Sequence, residues 1–264
     1  MVATDLDGTL LDSTGTLTDR TRRALDAARA AGAEIVFVTA RPPRSVSRLA
    51  TLAGVAQTAV CSNGAIVYDV AAEEILETRA LEPGAAAKVA QVLIEALPGV
   101  GFGVETGRGV LAAPGYDRIL PLDVAYRREV ATLAGLWESG EPIVKLMAFA
   151  HGQDVDAMYE LALAAVDGAA HVTHSGVPGL LEISASGVTK AGTLADLCAQ
   201  RGLSAADVVA FGDMPNDLAV LTFAGRGYGM ANAHPLVLEA VDAVTLSNDE
   251  DGVAVALERL LQLG

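Results

Sequence analysis

The sequence predicts an α/β protein. A parallel-sheet core with helices on both faces is built from the two ends of the chain, and an α+β domain is inserted between them. Three observations predict this. Short apolar runs alternate with helical stretches over the first eighty residues, and strands apolar throughout are those covered on both faces. After Leu81 the alternation gives way to short paired runs mixed with helices. From Thr189 it returns.

The elements follow in order. Val2 to Asp5 reads as a short buried strand entering the turn Asp7-Gly8-Thr9. Thr18 or Asp19 caps a helix that carries Leu25 and ends at Gly32. Glu34 to Thr39 is a continuous apolar strand. Arg41-Pro42-Pro43 breaks it and opens a helix running to about Gly54. Thr58 to Cys61 is a strand, paired with Ala65 to Tyr68 across an Asn63-Gly64 turn.

In the inserted region, Pro83 starts a helix with Val89, Val92, Leu93 and Ala96 on one face. Short runs at Phe102 to Glu105 and Val110 to Ala113 follow. Next come a helix around Tyr126 to Ala134, a strand from Ile143 to Phe149 and a helix from Val155 to Val166. Strands near His171 to His174 and Leu180 to Ser184 end the insert. Then a helix carries Leu194, Leu197 and Cys198, and Val208 to Phe211 is an apolar strand ending at Gly212-Asp213. Further helices begin near Pro215, Pro235 and Asp251, with strands near Gly227 to Met230 and Ala243 to Leu246.

Composition narrows the function. The 264 residues are 52% hydrophobic, which supplies a sizeable core, although much of that is alanine. The formal net charge is −15. An acidic surface argues against nucleic-acid or anionic-membrane partners, whose phosphates a basic surface would have to neutralise. With aromatics at 4%, no aromatic-lined binding surface is indicated. Cys61 and Cys198 lie in apolar contexts and read as buried thiols of a reducing compartment. His151, His171, His174 and His234 lack zinc-ligand spacing. No signal peptide precedes the first motif, and no apolar run approaches the roughly 20 residues of a membrane span, so a cytoplasmic protein is expected.

Polar residues follow the apolar strands directly: Asp5 and Asp7, then Thr39 and Arg41, then Asp213, Asn216 and Asp217. In a parallel sheet such residues gather at the carboxyl edge, where these folds bind ligands. Four carboxylates gathered there repel one another, so a cation is expected, and oxygen ligands favour magnesium over zinc. Taken singly, each element has a plainer reading. Thr39 can cap the next helix, Lys190 can be a solvated lysine in a first helical turn, and Asp213 and Asp217 can cap the helix near Pro215.

Taken together they form a pattern. The motifs are TDLDGTLL (Thr4 to Leu11), VTAR (Val38 to Arg41), Lys190 in GVTKAGTL, and FGDMPNDLAVL (Phe211 to Leu221). SNGA (Ser62 to Ala65) and NDEDGVA (Asn248 to Ala254) are softer echoes. In these the chain resembles the haloacid-dehalogenase superfamily of phosphohydrolases, and within it the Cof-type phosphatases with a large inserted cap. The motifs cover both halves of the core; the insert matches in size and position only. The departures are small: Ala191 follows Lys190, where such proteins often carry glycine, and the first strand is short and contains Ala3 and Thr4.

The resemblance implies a Rossmann-like core over residues 1–80 and 186–264, with a cap over residues 81–185 that selects the substrate. It implies Mg²⁺-dependent hydrolysis of a small phosphorylated metabolite, with sugar phosphates the leading class. Asp5 would be the nucleophile that forms a phospho-aspartate. Asp7 would be the general acid and then the base. Thr39 and Lys190 would contact the phosphoryl group. Asp5, Asp213 and the Asp7 carbonyl would hold the metal, with Asp217 helping directly or through water. Gly8, Ala40, Arg41, Asn63 and Asn216 would lie at the substrate, although Arg41 can equally make a structural ion pair. In the insert, Lys145 reads as a substrate contact or an edge-strand lysine, and Asn248 to Gly252 as a cap for the last helix. The competing readings are a phosphomannomutase-like phosphotransferase and a non-catalytic phosphate-ligand sensor. Retention of Asp5, Asp7 and the metal aspartates disfavours the sensor, and a nicotinamide-nucleotide protein lacks its GxGxxG turn. Oligomeric state is not legible.

Overall fold

A computed structural model describes residues 1–119, 123–241 and 243–262. The chain divides into two compact units. Met1–Leu76 with Lys190–Gly264 form the first, and Glu77–Thr189 the second.

The first unit opens with β1 (Val2–Thr4), fully buried. Helix α1 (Asp19–Ala30) is capped by Thr18, whose hydroxyl accepts from the Thr21 amide, and buries Ala24, Leu25 and Ala28. Strand β2 (Ile35–Val38) is buried along its length. The helix expected to reach Gly54 is shorter: α2 spans Pro43–Ser47, and only a 3₁₀ turn at Ala50–Leu52 follows. Strands β3 (Thr58–Cys61) and β4 (Ile66–Asp69) pair antiparallel, with Cys61 opposite Ile66. Their connection is therefore four residues long, wider than the expected two-residue turn. Strand β5 (Glu74–Thr78) was not expected from sequence. It is an exposed edge strand, so no burial pattern announces it.

The second unit begins with α3 (Pro83–Ala96), β6 (Gly101–Glu105) and β7 (Val110–Ala112). The helix expected around Tyr126 to Ala134 does not form. Instead, residues Arg127–Glu129 make β8, parallel to β7 with Arg127 opposite Val110. The Val130 amide extends that pairing to the Ala112 carbonyl at 2.9 Å. Sheet pairing here overrides helix propensity, and the helix, α4, is delayed to Gly135–Glu138. Then come β9 (Lys145–Phe149), α5 (Val155–Val166), β10 (Ala170–Thr173) and β11 (Leu180–Ala185). The sheet order is β10-β11-β9-β6-β7-β8. One face, with Phe102, Val104, Leu146, Ala148, Leu181 and Ile183, shares a core with Val89 and Leu93 of α3 and Ala162 of α5.

The chain then completes the first unit. It supplies α6 (Lys190–Gln200), β12 (Val209–Gly212), α7 (Leu218–Phe223), β13 (Arg226–Gly229), α8 (Pro235–Ala240), β14 (Ala243–Val244) and α9 (Gly252–Leu260). The sheet order is β14-β13-β12-β1-β2-β3-β4-β5. The pairs from β14 through β3 are parallel. Strand order reverses on either side of β1, so the carboxyl ends of β12, β1 and β2 meet where such sheets open a crevice. Cys61 and Cys198 are buried and form no disulfide. Among the described residues, no helix is long and apolar enough to cross a membrane.

Candidate active site

The site grows from three strand ends. The Asp5 amide extends the β1 ladder to the Phe211 carbonyl at 3.0 Å. Strand geometry alternates the side chains: Leu6 turns fully into the core, while Asp5 and Asp7 face the edge. The turn then needs Gly8. Its φ is +74°, and a Cβ there would lie 2.3 Å from Asp213 Oδ2, so the backbone can pass this carboxylate only without a side chain. Gly212 meets the same condition, since a Cβ there would lie 2.5 Å from Asp217 Cβ.

Lys190 is the first residue of α6 and is 2% exposed. A cation at a helix N-terminus is disfavoured by the dipole, and two carboxylates offset that cost. Lys190 Nζ donates to Asp5 Oδ1 at 2.8 Å and to Asp217 Oδ1 at 2.7 Å. The other Asp217 oxygen accepts from the amides of Asp213 and Met214 at 3.2 and 3.1 Å. Thr9, which sequence reasoning did not single out, donates its hydroxyl to Asp213 Oδ1 at 2.7 Å.

At the end of β2, the Thr39 hydroxyl accepts from the Arg41 amide at 3.1 Å. Its own hydrogen finds no acceptor among the described residues, so it is available to an incoming oxyanion. Ala40 lies half-buried between them. Arg41 turns to Asp7: Nε donates to Oδ2 at 2.6 Å and Nη2 to Oδ1 at 2.5 Å.

The 62–65 connection borders this edge. Ser62 and Asn63 both adopt positive φ, 52° and 57°, a conformation that costs energy outside glycine and collects at functional sites. The turn is fastened by three bonds. The Ser62 amide donates to the Arg41 carbonyl at 3.0 Å, the Asn63 amide to the Thr39 carbonyl at 3.1 Å, and the Thr193 hydroxyl to the Gly64 carbonyl at 2.7 Å. Asn216 Nδ2 donates to Asn63 Oδ1 at 3.0 Å. Ser62 Oγ, Asn63 Nδ2 and Asn216 Oδ1 are buried and find no partner among the described residues. Such groups call for a water or a ligand.

Electrostatics follow burial. Desolvation raises the Asp5 carboxyl well above the usual range; Lys190 opposes the shift, and Asp217 and Asp213 add to it. Burial first, then Asp217, pushes Asp213 up to about 7. Burial alone would lower the Lys190 ammonium, but Asp217 and Asp5 carry it above its ordinary value.

This donor set fits a hard divalent cation. Asp5, Asp213 and Asp217 each offer an oxygen, all within 4.8 Å of one another. Asp5 Oδ2 and Asp213 Oδ2 make no hydrogen bond among the described residues, whereas both Asp217 oxygens are spent on protein donors. Asp217 thus holds the loop and Lys190. All-oxygen ligation suits Mg²⁺.

The NDEDGVA segment places Asp251 at the N-cap position of the last helix, as expected, and has a second role besides. Asp251 makes no side-chain cap to α9. Its carboxylate accepts instead from the hydroxyls of Thr18 and Thr21 at 2.5 and 3.2 Å. Asp249 accepts from the Ser13 amide at 2.8 Å, and Asn248 Nδ2 donates to the Leu11 carbonyl at 2.9 Å. Asn232 Nδ2 donates to the Gly8 carbonyl at 2.8 Å and Asn232 Oδ1 accepts from the Asn248 amide at 3.0 Å. The loop that follows Asp7 is fixed by this side-chain brace. Nothing in the spacing reveals it, because its contacts with the 8–21 segment join residues more than 200 positions apart.

In the second unit, the sheet face away from α3 and α5 is polar at one end. Lys145 pairs with Glu182, and Glu105 stands opposite Lys145 on β6. The hydroxyl of Ser184 is buried and has no partner among the described residues. Strand β9 lies between β11 and β6, so Lys145 is not on an edge. His174 Nε2 lies 3.3 Å from Asp156.

Comparison with known proteins agrees with this architecture. The chain is 28% identical to the phosphatase YwpJ of Bacillus subtilis over 99% of each chain. It is 28% identical to the pyridoxal phosphate phosphatase YbhA of Escherichia coli over 96% of each. A haloacid dehalogenase-like hydrolase from B. subtilis superposes with a TM-score of 0.82 at 24% identity, covering 98% of this chain and 99% of that one; this shows the fold. The family model for haloacid dehalogenase-like hydrolases matches residues 2–257, and the chain belongs to that family.

Proposed function

We propose that this phosphatase hydrolyses small phosphomonoesters through a phospho-Asp5 intermediate, with sugar phosphates the leading substrate class. The observation that carries the reading is Lys190, buried and bridging Asp5 and Asp217, with Asp213 beside them. A structural ion pair does not need a third buried carboxylate raised toward neutrality, whereas a site for a cation and a phosphoryl group does.

One carboxylate oxygen of Asp5 attacks phosphorus as the bond to the leaving oxygen breaks, and Asp7 gives that oxygen a proton. Water then attacks the acyl phosphate, giving its proton to Asp7, and phosphate leaves as Asp5 is regenerated. Lys190 holds Asp5 in line and offsets its charge against the incoming anion. The Thr39 hydroxyl donates to a phosphoryl oxygen. Asn63 Nδ2 and Asn216 Oδ1 supply one donor and one acceptor to the substrate. Asp5, Asp213 and the Asp7 carbonyl would hold Mg²⁺, which when bound supplies Lewis-acid neutralisation of the phosphoryl oxygens.

The test is phosphate release over a panel of sugar, acid and cofactor phosphates, with Mg²⁺ or chelator, for the wild type and Asp5→Asn. A hydroxylamine-sensitive phosphoenzyme should be trapped only with Asp5 present. Release that survives Asp5→Asn sinks the mechanism. Transfer to a second sugar hydroxyl in place of free phosphate favours the mutase reading. A best substrate outside the sugar phosphates redirects the substrate class.

A further inference from the structure

The family motif around Arg41 suggests a residue that meets the substrate, but the Nε and Nη2 edge of its guanidinium is turned to Asp7. Nε and Nη2 engage the two oxygens of Asp7 at 2.6 and 2.5 Å. We propose that Arg41 is the positioning residue for Asp7: it sets the direction in which the Asp7 carboxyl faces the leaving oxygen, and does not itself bind the phosphoryl group. The proposal rests on the reading of Asp7 as general acid.

Two features of the local structure carry it. First, the two partners differ in how firmly they are held. Strands β1 and β2 are parallel neighbours, with Thr4 opposite Phe37, so the turns that follow them adjoin. On one side, the Arg41 backbone is fixed at both ends, its amide by the Thr39 hydroxyl and its carbonyl by the Ser62 amide. Its side chain is 22% exposed. On the other side, the Asp7 side chain is 59% exposed and precedes a glycine at positive φ. Among the described residues its carboxylate makes no hydrogen bond other than the two to Arg41. An exposed carboxylate on a turn samples several rotamers, and a bidentate fork selects one.

Second, the fork has the geometry of an orienting contact. It engages both oxygens, Nε with Oδ2 and Nη2 with Oδ1, and each oxygen keeps a lone pair for a proton. A point charge such as lysine would attract the carboxylate without fixing its orientation. Because proximity and orientation control proton-transfer catalysis, loss of the fork should act on the chemical step that needs the proton.

Leaving-group dependence separates this from substrate binding. An alkyl phosphate needs its leaving oxygen protonated, and 2,4-dinitrophenyl phosphate does not. The quantity read is kcat/KM, which reports the steps up to phosphoenzyme formation. It would be measured for the wild type, Arg41→Gln, Arg41→Lys, Asp7→Asn and Asp7→Asn/Arg41→Gln. Asp7→Asn should lower the alkyl rate about 100-fold more than the dinitrophenyl rate. Arg41→Gln should show the same selectivity at about 10-fold, with Arg41→Lys between it and the wild type. In the Asp7→Asn background, Arg41→Gln should cost no more than about twofold, because its route of action is gone.

Equal losses on both esters, or an undiminished loss in the Asp7→Asn background, would mean that Arg41 acts on the substrate and overturn the proposal. No leaving-group selectivity in Asp7→Asn itself would reject the general-acid reading, a separate and recognisable failure. Thermal melting verifies that each variant folds, and Arg41→Lys carries the double-mutant comparison if Arg41→Gln does not.

Discussion

Each unit holds a lysine in a dry environment against a carboxylate, but the two are built differently. Lys190 begins a helix and reaches Asp5, at the end of β1, and Asp217, in the turn between the adjacent strand β12 and α7. A third carboxylate, Asp213, stands beside them with one oxygen unspent. Lys145 stands on β9 between two antiparallel neighbours and pairs with Glu182 on one of them. The first lysine sits where backbone regularity ends and negative charge is in excess. The second is flanked by strands on both sides. Glu105 is also buried, opposite Lys145, so negative charge exceeds positive at both lysines. The first arrangement differs in leaving a carboxylate oxygen unspent, among the described residues, at the carboxyl edge of a parallel sheet, where such folds bind ligands.

The largest expected effect is on chemistry. Asp5→Asn should abolish phosphate release and phosphoenzyme formation. Lys190→Met should lower kcat by about 10²–10³-fold, the range for removing one group aimed at developing charge. If Lys190→Met keeps its activity, the contrast between the two lysines disappears.

The next effect is on stability. Removing one partner of a buried pair costs about 3–5 kcal/mol, while replacing both by apolar residues is often neutral. Lys145→Met should therefore lower the melting temperature, and Lys145→Met/Glu105→Leu/Glu182→Leu, which removes both buried carboxylates with the lysine, should recover part of it. Lys190→Met/Asp217→Leu, by contrast, should recover no activity whatever its stability. Melting curves and kcat on the same four variants separate the two outcomes.

A pH effect follows from Asp213. Its carboxyl is raised from 3.8 to about 7 in the native protein, by burial and then by Asp217. Between those values the native state holds a proton that the unfolded chain has released. Stability of the metal-free protein should thus fall as pH rises from about 4 to 7 and level off above it. Mg²⁺ bound at this carboxylate favours its ionised form, so the rise in melting temperature on adding Mg²⁺ should grow across the same window, and chelator should remove it. A Mg²⁺ effect that is equal at pH 5 and pH 8 would dissociate Asp213 from the metal.

The smallest effect concerns the brace. Asp251→Ala removes two hydroxyl contacts and should cost about 1–2 kcal/mol. That corresponds to roughly 2–8 °C in melting temperature for a chain of this size.

Which parts were legible follows a physical rule. Residues directly after apolar strands could be read as a group, because a parallel sheet sends its strand ends to one edge. This is how Asp5, Thr39 and Asp213 were found together. Thr9 lay inside a quoted motif and was missed, since a hydroxyl two residues after Asp7 gives no sign that it will donate to Asp213. Arg41 was legible as a residue near the site but not as the partner of Asp7. The helix expected over Tyr126 to Ala134 failed because the segment's amphipathic pattern carried no sign of the parallel pairing that β7 offers.

By itself the sequence determined the α/β class, the split core, the family resemblance and the carboxylates available for chemistry. These depend on periodicity and on short-range order along the chain. Only the tertiary structure decided which carboxylate oxygens are left unspent, which residue Arg41 grips and what the Asn248 to Asp251 segment secures. Those contacts join positions up to 237 residues apart, and they are set by strand order and by packing at a few tenths of an ångström. Local propensity carries no record of either.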